Sequence, residues 1–273
     1  MADVDVIVIG AGAAGLACGA ACARRGPSVV VLESADRIGS GVSARNSGVI
    51  HAGLYYATGS LKHRLCVAGR RRLYPYLAAR AIEHRKTGKL IVAAEEVEAK
   101  MLETLHARGV ANGVEGLELV DGAAARAMEP ELQAWAALVS AETGVFDTHG
   151  YMLALQGEIE DAGGSVVVAT AVDRIARDIE GLQVTTIGGH MVTAHTVVNS
   201  AGLHAHHIAR RIEGLDHRRI PSLVLAKGSY FSCSSQAAFS RLIYPAPVDG
   251  GLGVHLTLDI AGRMRFGPDV EWL

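Results

Sequence analysis

A short segment near residue 50 holds an unusual share of the side chains that could do chemistry. Residues 43–56 read SARNSGVIHAGLYY and combine small hydroxyl and amide side chains with a histidine and two tyrosines. Small polar side chains can hydrogen-bond a polar ligand, and a histidine can take up a proton because its unperturbed pKa lies near neutral pH. The segment lacks the alternation of apolar and polar residues that predicts a strand. We therefore interpret it as a segment that contacts a ligand.

The start of the chain has the residue order of a dinucleotide-binding unit. The predicted elements are, in order, a buried strand (4–9, VDVIVI), the glycine motif GAGAAG, a helix (13–25) and a second buried strand (29–32, VVVL). Gly10 allows the tight turn, Gly12 lets the backbone approach a pyrophosphate, and Gly15 lets helix and strand pack closely. Glu33, at the end of the second strand, can accept hydrogen bonds from a ribose. An adenine dinucleotide is predicted to bind here.

The residues after the second strand favour FAD over NAD. An NAD-dependent domain usually continues with regular strand–helix units, whereas here RIGSG (37–41) leads directly into the polar segment 43–56. Its small polar side chains can hydrogen-bond the pyrophosphate and ring of a long prosthetic group. A later stretch, TVVNSAG (196–202), predicts a buried strand that ends in small residues. Ala201 and Gly202 are therefore also predicted to contact the cofactor.

Composition restricts the class of protein. The 273 residues are 49% hydrophobic, which suffices for a substantial core in one or two domains. The formal net charge is −2, so nothing favours nucleic acid or an anionic membrane surface as a partner. The acidic start does not resemble a signal peptide, and its glycines argue against a membrane helix. Four scattered cysteines suit a reducing compartment, so we predict a cytoplasmic protein, with peripheral membrane association as the alternative.

Five segments resemble one known enzyme family. They are ESADRIGSGVSARNSGVIHAGLYY (33–56), VVNSAGL (197–203), AKGSYF (226–231), LIYPAP (242–247) and GVHLTLDIAGRMRFGPDVEWL (253–273). They look like L-2-hydroxyglutarate dehydrogenases or oxidases, FAD enzymes of the wider D-amino-acid-oxidase-like group, and the resemblance covers essentially the whole chain. The resemblance implies that His51 lies near the reacting carbon. It also implies FAD contacts from four neighbouring residues: Ser43, Arg45, Asn46 and Ser47.

The implied reaction oxidises a 2-hydroxy acid to a 2-oxo acid, with the hydride passing to the flavin and the proton to a base. His51 is the first candidate for that base and His255 the second, although a core histidine satisfied within its strand explains His255 nearly as well. A dicarboxylate substrate also needs cations or hydrogen-bond donors. The candidates for this role are Tyr56, Lys227, Tyr230 and Arg265. Oxygen, or a quinone or electron-transfer protein, would accept the electrons from the flavin.

The order of predicted elements indicates an α/β fold with two domains. A Rossmann-like FAD-binding domain would comprise 1–84 and 146–217, and a discontinuous α+β substrate domain on a mixed or antiparallel sheet would comprise 85–145 and 218–273. Further elements are predicted from periodicity: helices over 61–80, 95–108 and 150–162, strands over 89–93, 136–139 and 166–168, and a hairpin of 183–187 and 190–193.

Two groups of basic residues are interpreted as structural. Arg70, Arg71 and Arg72 are predicted to form a solvated helix face. His204 and His207 could share one side of a helix, but no acidic or cysteine ligand accompanies them locally. We predict no metal site.

Two other functions stay open. An amine or amino-acid oxidase of the same broad group would have the same first forty residues, so these do not discriminate. The family pattern also continues beyond Leu273 through a segment that completes the substrate domain, with a further arginine motif and a glycine-rich loop over the cofactor. A non-catalytic remnant that binds FAD without turnover is therefore the second alternative.

Overall fold

The chain forms two compact units. The computed structural model describes residues 2–234, 237–247 and 253–273. The first unit comprises Met1–Asn46 and Thr148–Leu223, and the second comprises Ser47–Asp147 and Val224–Leu273. Each unit is therefore assembled from two separate stretches of chain.

The helices are α1 (Ala13–Ala23), α2 (Leu61–Ala79), α3 (Glu96–Ala111), α4 (Gly122–Met128), α5 (Thr148–Asp161) and α6 (Ala205–Arg210). The strands of the N-terminal half are β1 (Val4–Ile9), β2 (Val29–Leu32), β3 (Val49–Ile50), β4 (His84–Arg85), β5 (Lys89–Ala93), β6 (Leu117–Asp121), β7 (Ala136–Ser140) and β8 (Gly144–Phe146). The later strands are β9 (Ser165–Val167), β10 (Val172–Asp178), β11 (Gly181–Thr186), β12 (Met191–Asn199), β13 (Ala226–Lys227), β14 (Phe231–Ser232), β15 (Leu242–Pro245), β16 (His255–Leu258), β17 (Met264–Gly267) and β18 (Glu271–Trp272). Among the described helices, none is long and apolar enough to cross a bilayer.

The first unit is built on a sheet with the order β10-β11-β12-β1-β2-β9. β1 runs parallel to both β2 and β12, and β2 runs parallel to β9, while β10, β11 and β12 form an antiparallel meander. A run of β-branched residues explains β1, whose Ile7 is fully buried in the core. Helix α1 packs against α5 so closely that a Cβ on Gly19 would lie 2.9 Å from Ile159.

The second strand of the predicted hairpin and the predicted TVVNSAG strand form one continuous strand. Residues 190–193 and 196–202 were expected as separate strands, but β12 runs unbroken from Met191 to Asn199. Its first half pairs with β11 and its second half pairs with β1, with Ala194 opposite partners on both sides. Because two different neighbours satisfy its backbone, the strand continues past the point where the hairpin pairing stops.

The second unit is built on a mixed sheet with the order β14-β17-β16-β15-β5-β7-β6. β5 runs parallel to β15, and the other pairs in this sheet with a described register are antiparallel. Helix α3 begins at a capping box formed by Glu95 and Glu98 and buries Leu102 and Leu105. These leucines belong to the main hydrophobic core of the unit, which also contains Ile91.

The boundary between the units differs from the predicted one. Residues 47–84 were predicted to belong to the FAD-binding domain, but they lie in the second unit. The reason is strand pairing and packing: β3 and β4 both pair with β8, and Leu54 and Val67 lie in the core of the second unit. Residues 218–223 lie in the first unit and 146–147 in the second, which are smaller differences of the same kind.

The arginine run on α2 is only partly a solvated face. Arg71 and Arg72 are exposed as predicted, but Arg70 is buried and pairs with Glu115 and Glu142. The prediction was wrong for Arg70 because the sequence does not show that two acidic residues distant along the chain reach this helix. Ion pairs with these partners compensate the cost of burying the guanidinium.

Candidate active site

The glycine turn of the first unit has the backbone geometry that a dinucleotide motif requires. Gly10 has a φ of +100°, and a Cβ at this position would lie 2.6 Å from the carbonyl oxygen of Ser200. A Cβ on Gly15 would lie 1.9 Å from the carbonyl oxygen of Gly10. Helix α1 begins at Ala13, directly after Gly12, which has no side chain to cap it, and the first turn contains no acidic residue. This leaves a close-packed turn and a helix N-terminus suited to phosphate groups.

Glu33 holds the backbone of this turn in place. Its Oε2 accepts a hydrogen bond of 2.7 Å from Ala11 N, and its Oε1 accepts one of 2.9 Å from Ala35 N. Oε1 also accepts a hydrogen bond of 3.2 Å from Ser34 Oγ, whereas Oε2 has a second lone pair, through which Glu33 can accept a hydrogen bond from a ribose.

Ala201, a further predicted cofactor residue, lies against the same turn, and Gly202 follows it in the chain. A Cβ on Gly10 would lie 3.1 Å from the Cα of Ala201, and Gly202 adopts a φ of +56°. Ser43 also contacts the start of α1, since its Oγ accepts a hydrogen bond of 3.0 Å from Ala13 N. The structure therefore brings the glycine motif, Ser43 and Ala201 together, and these residues fit a dinucleotide.

The other polar residues of the opening segment are distributed over both units. Asn46 donates a hydrogen bond to the carbonyl oxygen of Ser43, and Arg45 is exposed beside it. Ser47 is the first residue of the second unit and is partly buried.

The second unit contains a cluster of basic and aromatic side chains around its large sheet, which we call the imidazole cluster. Its members are His51, Tyr55, Lys89, Tyr244 and His255. The rings of Tyr244 and His255 stack with centroids 3.9 Å apart and an interplanar angle of 21°. Lys89 Nζ lies 3.3 Å from the hydroxyl of Tyr55 and 4.6 Å from the ring centroid of Tyr244. The structure thus brings together both histidines that the sequence predicts as candidate bases.

Burial and like charges hold both imidazoles in their neutral form. Burial, followed by the charges of Lys89 and His255, lowers the pKa of His51 to about 4. Burial is also the main cause that lowers the pKa of His255; the charge of Lys89 adds to it, and a hydrogen bond to the Gly253 carbonyl opposes it. His255 Nδ1 lies 3.0 Å from that carbonyl oxygen, so in the neutral ring the proton sits on Nδ1 and Nε2 is free to accept one.

The predicted substrate residues lie in three separate places. Arg265 on β17 lies opposite Thr257 of β16, and its charge lowers the otherwise raised pKa of the Tyr230 hydroxyl. Arg265 Nη2 is 3.8 Å from Asp259 Oδ2, a long ion pair. Lys227 instead lies on the small β13–β18 sheet in an exposed ion pair of 2.6 Å with Glu271.

Tyr56 lies near Cys66, and burial is the main cause that raises its pKa. Its ring also lies 5.7 Å from the ammonium group of Lys62.

Sequence reasoning missed Lys89. Its side chain is only 1% exposed, and it is the first residue of β5, whose other residues are all apolar. Burial lowers the pKa of this ammonium group to about 7. A lysine that opens an otherwise apolar strand (KLIVA) was the signal in the sequence, because lysine is almost never fully buried without a reason.

Within the described part of the chain, no group of three or more histidine, cysteine or acidic side chains is arranged to hold a metal ion. His206 and His207 have ring centroids 3.9 Å apart at the start of α6.

One family model matches nearly the whole chain. The family is described as DAO, FAD dependent oxidoreductase, and the match covers residues 5–272. Among curated proteins, the chain is 41% identical to the mitochondrial L-2-hydroxyglutarate dehydrogenase of Arabidopsis thaliana, over 99% of this chain and 62% of that protein. It is 32% identical to the mitochondrial L-2-hydroxyglutarate dehydrogenase of Homo sapiens, over 97% of this chain and 60% of that protein. The chain therefore spans about three-fifths of the length of these relatives.

Solved structures share the fold at lower identity. L-α-glycerophosphate oxidase from Mycoplasma pneumoniae, solved with FAD bound, matches with a TM-score of 0.90 at 22% identity, over 98% of this chain and 72% of that chain. Glycine oxidase from Geobacillus kaustophilus matches with a TM-score of 0.81 at 21% identity, over 100% of this chain and 72% of that chain. At these identities the matches show the fold alone. Together the comparisons confirm the predicted resemblance, the predicted fold class and FAD as the cofactor.

Proposed function

Because the chain belongs to the family of FAD-dependent oxidoreductases, we propose that it oxidises L-2-hydroxyglutarate or a similar 2-hydroxy acid to the corresponding 2-oxo acid. The observation that carries the proposal is the imidazole cluster, in which two neutral histidines lie together in the second unit. Oxidation of a hydroxyl group requires a proton acceptor, and a neutral imidazole is the side chain best suited to that task near neutral pH. The names of the two curated relatives support the choice of substrate.

His51 is the proposed base. With a pKa of about 4, it is unprotonated throughout the neutral range and can take the hydroxyl proton as the C–H bond breaks. A pKa this low makes the imidazole a weaker base than an unperturbed histidine, so its contribution depends on close placement of the substrate hydroxyl. His255, with Nε2 as the free acceptor, is the second candidate.

FAD would be held by the residues of the glycine turn, with Glu33 on the ribose and Ser43, Ala201 and Gly202 beside the turn. Arg45, Asn46 and Ser47 are proposed to make the further polar contacts. When bound, FAD supplies the two-electron acceptor that takes the hydride from the substrate carbon.

The carboxylates of the substrate need cationic or hydrogen-bonding partners in the second unit. Arg265 is the proposed carboxylate ligand because its ion pair with Asp259 is long, which leaves guanidinium donors for a bidentate contact. Tyr230, whose hydroxyl is influenced by the charge of Arg265, is the proposed phenolic donor. Tyr56 stays a candidate for this role. Lys227 could bind a substrate carboxylate only if its ion pair with Glu271 were broken.

Oxidation of an amine is the alternative within the same fold, and the match to glycine oxidase motivates it. At neutral pH an α-amino group carries a positive charge, and the imidazole cluster already contains Lys89. The ammonium group of a zwitterionic amino acid would be repelled by this charge, whereas the hydroxyl group of a 2-hydroxy acid carries no charge and would not be repelled. The cluster therefore favours the hydroxy acid.

The electron acceptor and the compartment stay predictions. Oxygen, a quinone or an electron-transfer protein would reoxidise the flavin. The cysteine usage favours a reducing compartment such as the cytoplasm, whereas the two curated relatives are named mitochondrial.

Anaerobic reduction of the flavin by a set of candidate substrates tests the proposed function. The FAD-loaded protein is mixed anaerobically with L-2-hydroxyglutarate, D-2-hydroxyglutarate, L-lactate, glycine or sarcosine, and the loss of the visible absorbance of oxidised flavin is followed. We expect bleaching by L-2-hydroxyglutarate and formation of the 2-oxo acid. If only glycine or sarcosine bleached the flavin, with release of ammonia or methylamine, the substrate would be an amine and not a hydroxy acid. A protein that binds FAD and is bleached by none of these compounds would support the non-catalytic alternative.

A further inference from the structure

Lys89 carries a buried ammonium group enclosed by aromatic rings. Its Nζ lies 4.4 Å from the ring centroid of Tyr55 and 4.6 Å from that of Tyr244, so two ring systems surround the charge. Such contacts return part of the hydration energy that the ammonium loses on burial. Its hydrogen bond to the Tyr55 hydroxyl, at 3.3 Å, is long. Lys89 is only 1% exposed, so its charge interacts with neighbouring side chains and is little screened by solvent.

No described carboxylate compensates this charge with an ion pair. The titratable groups that face Lys89 and the two histidines are Tyr55, Cys66 on α2 and Tyr244 on β15. Burial raises the pKa of all three, so none of them is an anion at neutral pH. Arg70 on α2 also acts on Cys66, but its own charge is compensated by ion pairs with Glu115 and Glu142. A buried cation without an anion is costly for the folded protein, and such groups are found where they serve a function.

Lys89 is linked to both histidines through its immediate surroundings. The Tyr244 ring that faces its ammonium also stacks on His255. Tyr55 lies four residues after His51 in the same segment, and Cys66 donates a hydrogen bond of 3.3 Å to the carbonyl oxygen of His51. A positive charge in this cluster opposes the addition of a second positive charge to either imidazole.

We propose that Lys89 is a positioning residue whose ammonium, held between the rings of Tyr55 and Tyr244, adds to the effect of burial and opposes protonation of His51 and His255, so that both stay able to accept a proton as the pH falls. The effect of Lys89 on catalysis rests on the proposed function. Its effect on the charge of the two histidines does not, because all three residues lie in the second unit. Because the pKa of Lys89 is about 7, its ammonium is mostly protonated at the lower pH values at which His51 takes up a proton.

The first experiment is a titration of the imidazoles by NMR in the FAD-loaded protein. Signals are assigned with His51→Gln and His255→Gln, and the titration is repeated in Lys89→Met, Lys89→Gln and Lys89→Arg. Removing the charge should raise the midpoint of His51 by about 1–2 pH units, the usual effect of one nearby charge. Lys89→Arg should leave the midpoint nearly unchanged because it keeps the charge. The matched control is Lys100→Met, which removes the same charge from the exposed face of α3 and should change neither imidazole.

The second experiment measures the rate of anaerobic flavin reduction against pH. In Lys89→Met or Lys89→Gln the acid limb should move to higher pH together with the NMR midpoint, while the rate on the alkaline plateau changes little. If the His51 midpoint in the charge-removing variants equals that of the unsubstituted protein, the inference is overturned, whatever the enzyme oxidises. If no 2-hydroxy acid reduces the flavin but the midpoint shifts as expected, the proposed function fails and the electrostatic inference stands.

Discussion

His51 shows that a sequence reveals the chemical type of a residue but not the surroundings that the fold gives to its side chain. The histidine type and its segment are visible in the sequence, whereas its pKa of about 4 depends on burial and on Lys89 and His255, which are distant along the chain. We expect His51→Gln to retain the fold and FAD but to slow anaerobic flavin reduction by about 10²–10⁴-fold, because glutamine cannot accept a proton at neutral pH. Stopped-flow measurement of flavin absorbance with saturating hydroxy acid checks this.

His106→Gln is the matched control, since His106 lies on α3 in the same unit and outside the imidazole cluster. It should reduce its flavin at the unsubstituted rate. An unchanged rate in His51→Gln would assign the proton to His255 instead, and loss of FAD from His51→Gln would assign His51 to the cofactor site.

At the scale of secondary structure, the turn between β1 and α1 allows no additional atom at Gly15. A Cβ at this position would lie 1.9 Å from the Gly10 carbonyl oxygen, which is backbone and has little freedom to move. Gly15→Ala should therefore separate the helix from the strand, lower the free energy of unfolding by about 1–3 kcal/mol and weaken FAD binding. Chemical denaturation and flavin titration measure the two effects.

Gly157→Ala on α5 is the control for Gly15→Ala. A Cβ on Gly157 would meet nothing within 4 Å, and the position lies inside a helix. Alanine should raise the free energy of unfolding there by about 0.5–1 kcal/mol and leave FAD binding unchanged. If both variants changed the free energy of unfolding and FAD binding by the same amount, the close contact between Gly15 and the Gly10 carbonyl would not explain the effect of Gly15→Ala.

Local signals were sufficient to predict most elements that position the site. The predicted strand over 89–93 is β5, and the predicted helix over 61–80 is α2 to within one residue, because period and capping are local properties. The course of β12 and the burial of Arg70 were not predictable, since each depends on partners far away in sequence. Lys89 was missed for the same reason: only the folded sheet shows that Tyr55 and Tyr244 enclose it.

At the scale of the whole molecule, burial of Lys89 makes the free energy of unfolding depend on pH in the alkaline range. Its pKa is about 7 in the folded protein against an ordinary 10.5, so between these values the unfolded chain binds more protons and the free energy of unfolding rises with pH. Lys89→Met should be more stable than the unsubstituted protein at pH 7, by about 1–4 kcal/mol, the gain seen when buried ionic groups are replaced by apolar ones. That advantage should shrink as the pH rises towards 10.5.

Thermal unfolding at a series of pH values measures this difference. Lys100→Met serves as the comparison, because an exposed lysine has little desolvation cost and should give a pH-independent offset within about 0.5 kcal/mol. A constant difference between Lys89→Met and the unsubstituted protein across pH 7 to 10.5 would show that the Lys89 ammonium is not destabilised by burial.

The pairing of β1 with β12 has a consequence for how a cell makes this protein. Val4 lies opposite Ala194, so one edge of the first strand stays unpaired until the ribosome adds its partner 190 residues later. At about 5–20 residues per second, that wait lasts roughly 10–40 s, during which β2 can cover only the opposite edge. A nascent chain with an open, strongly apolar strand is a substrate for chaperones and a seed for aggregation. Slow synthesis at low temperature in a host rich in chaperones should therefore increase the yield of folded protein.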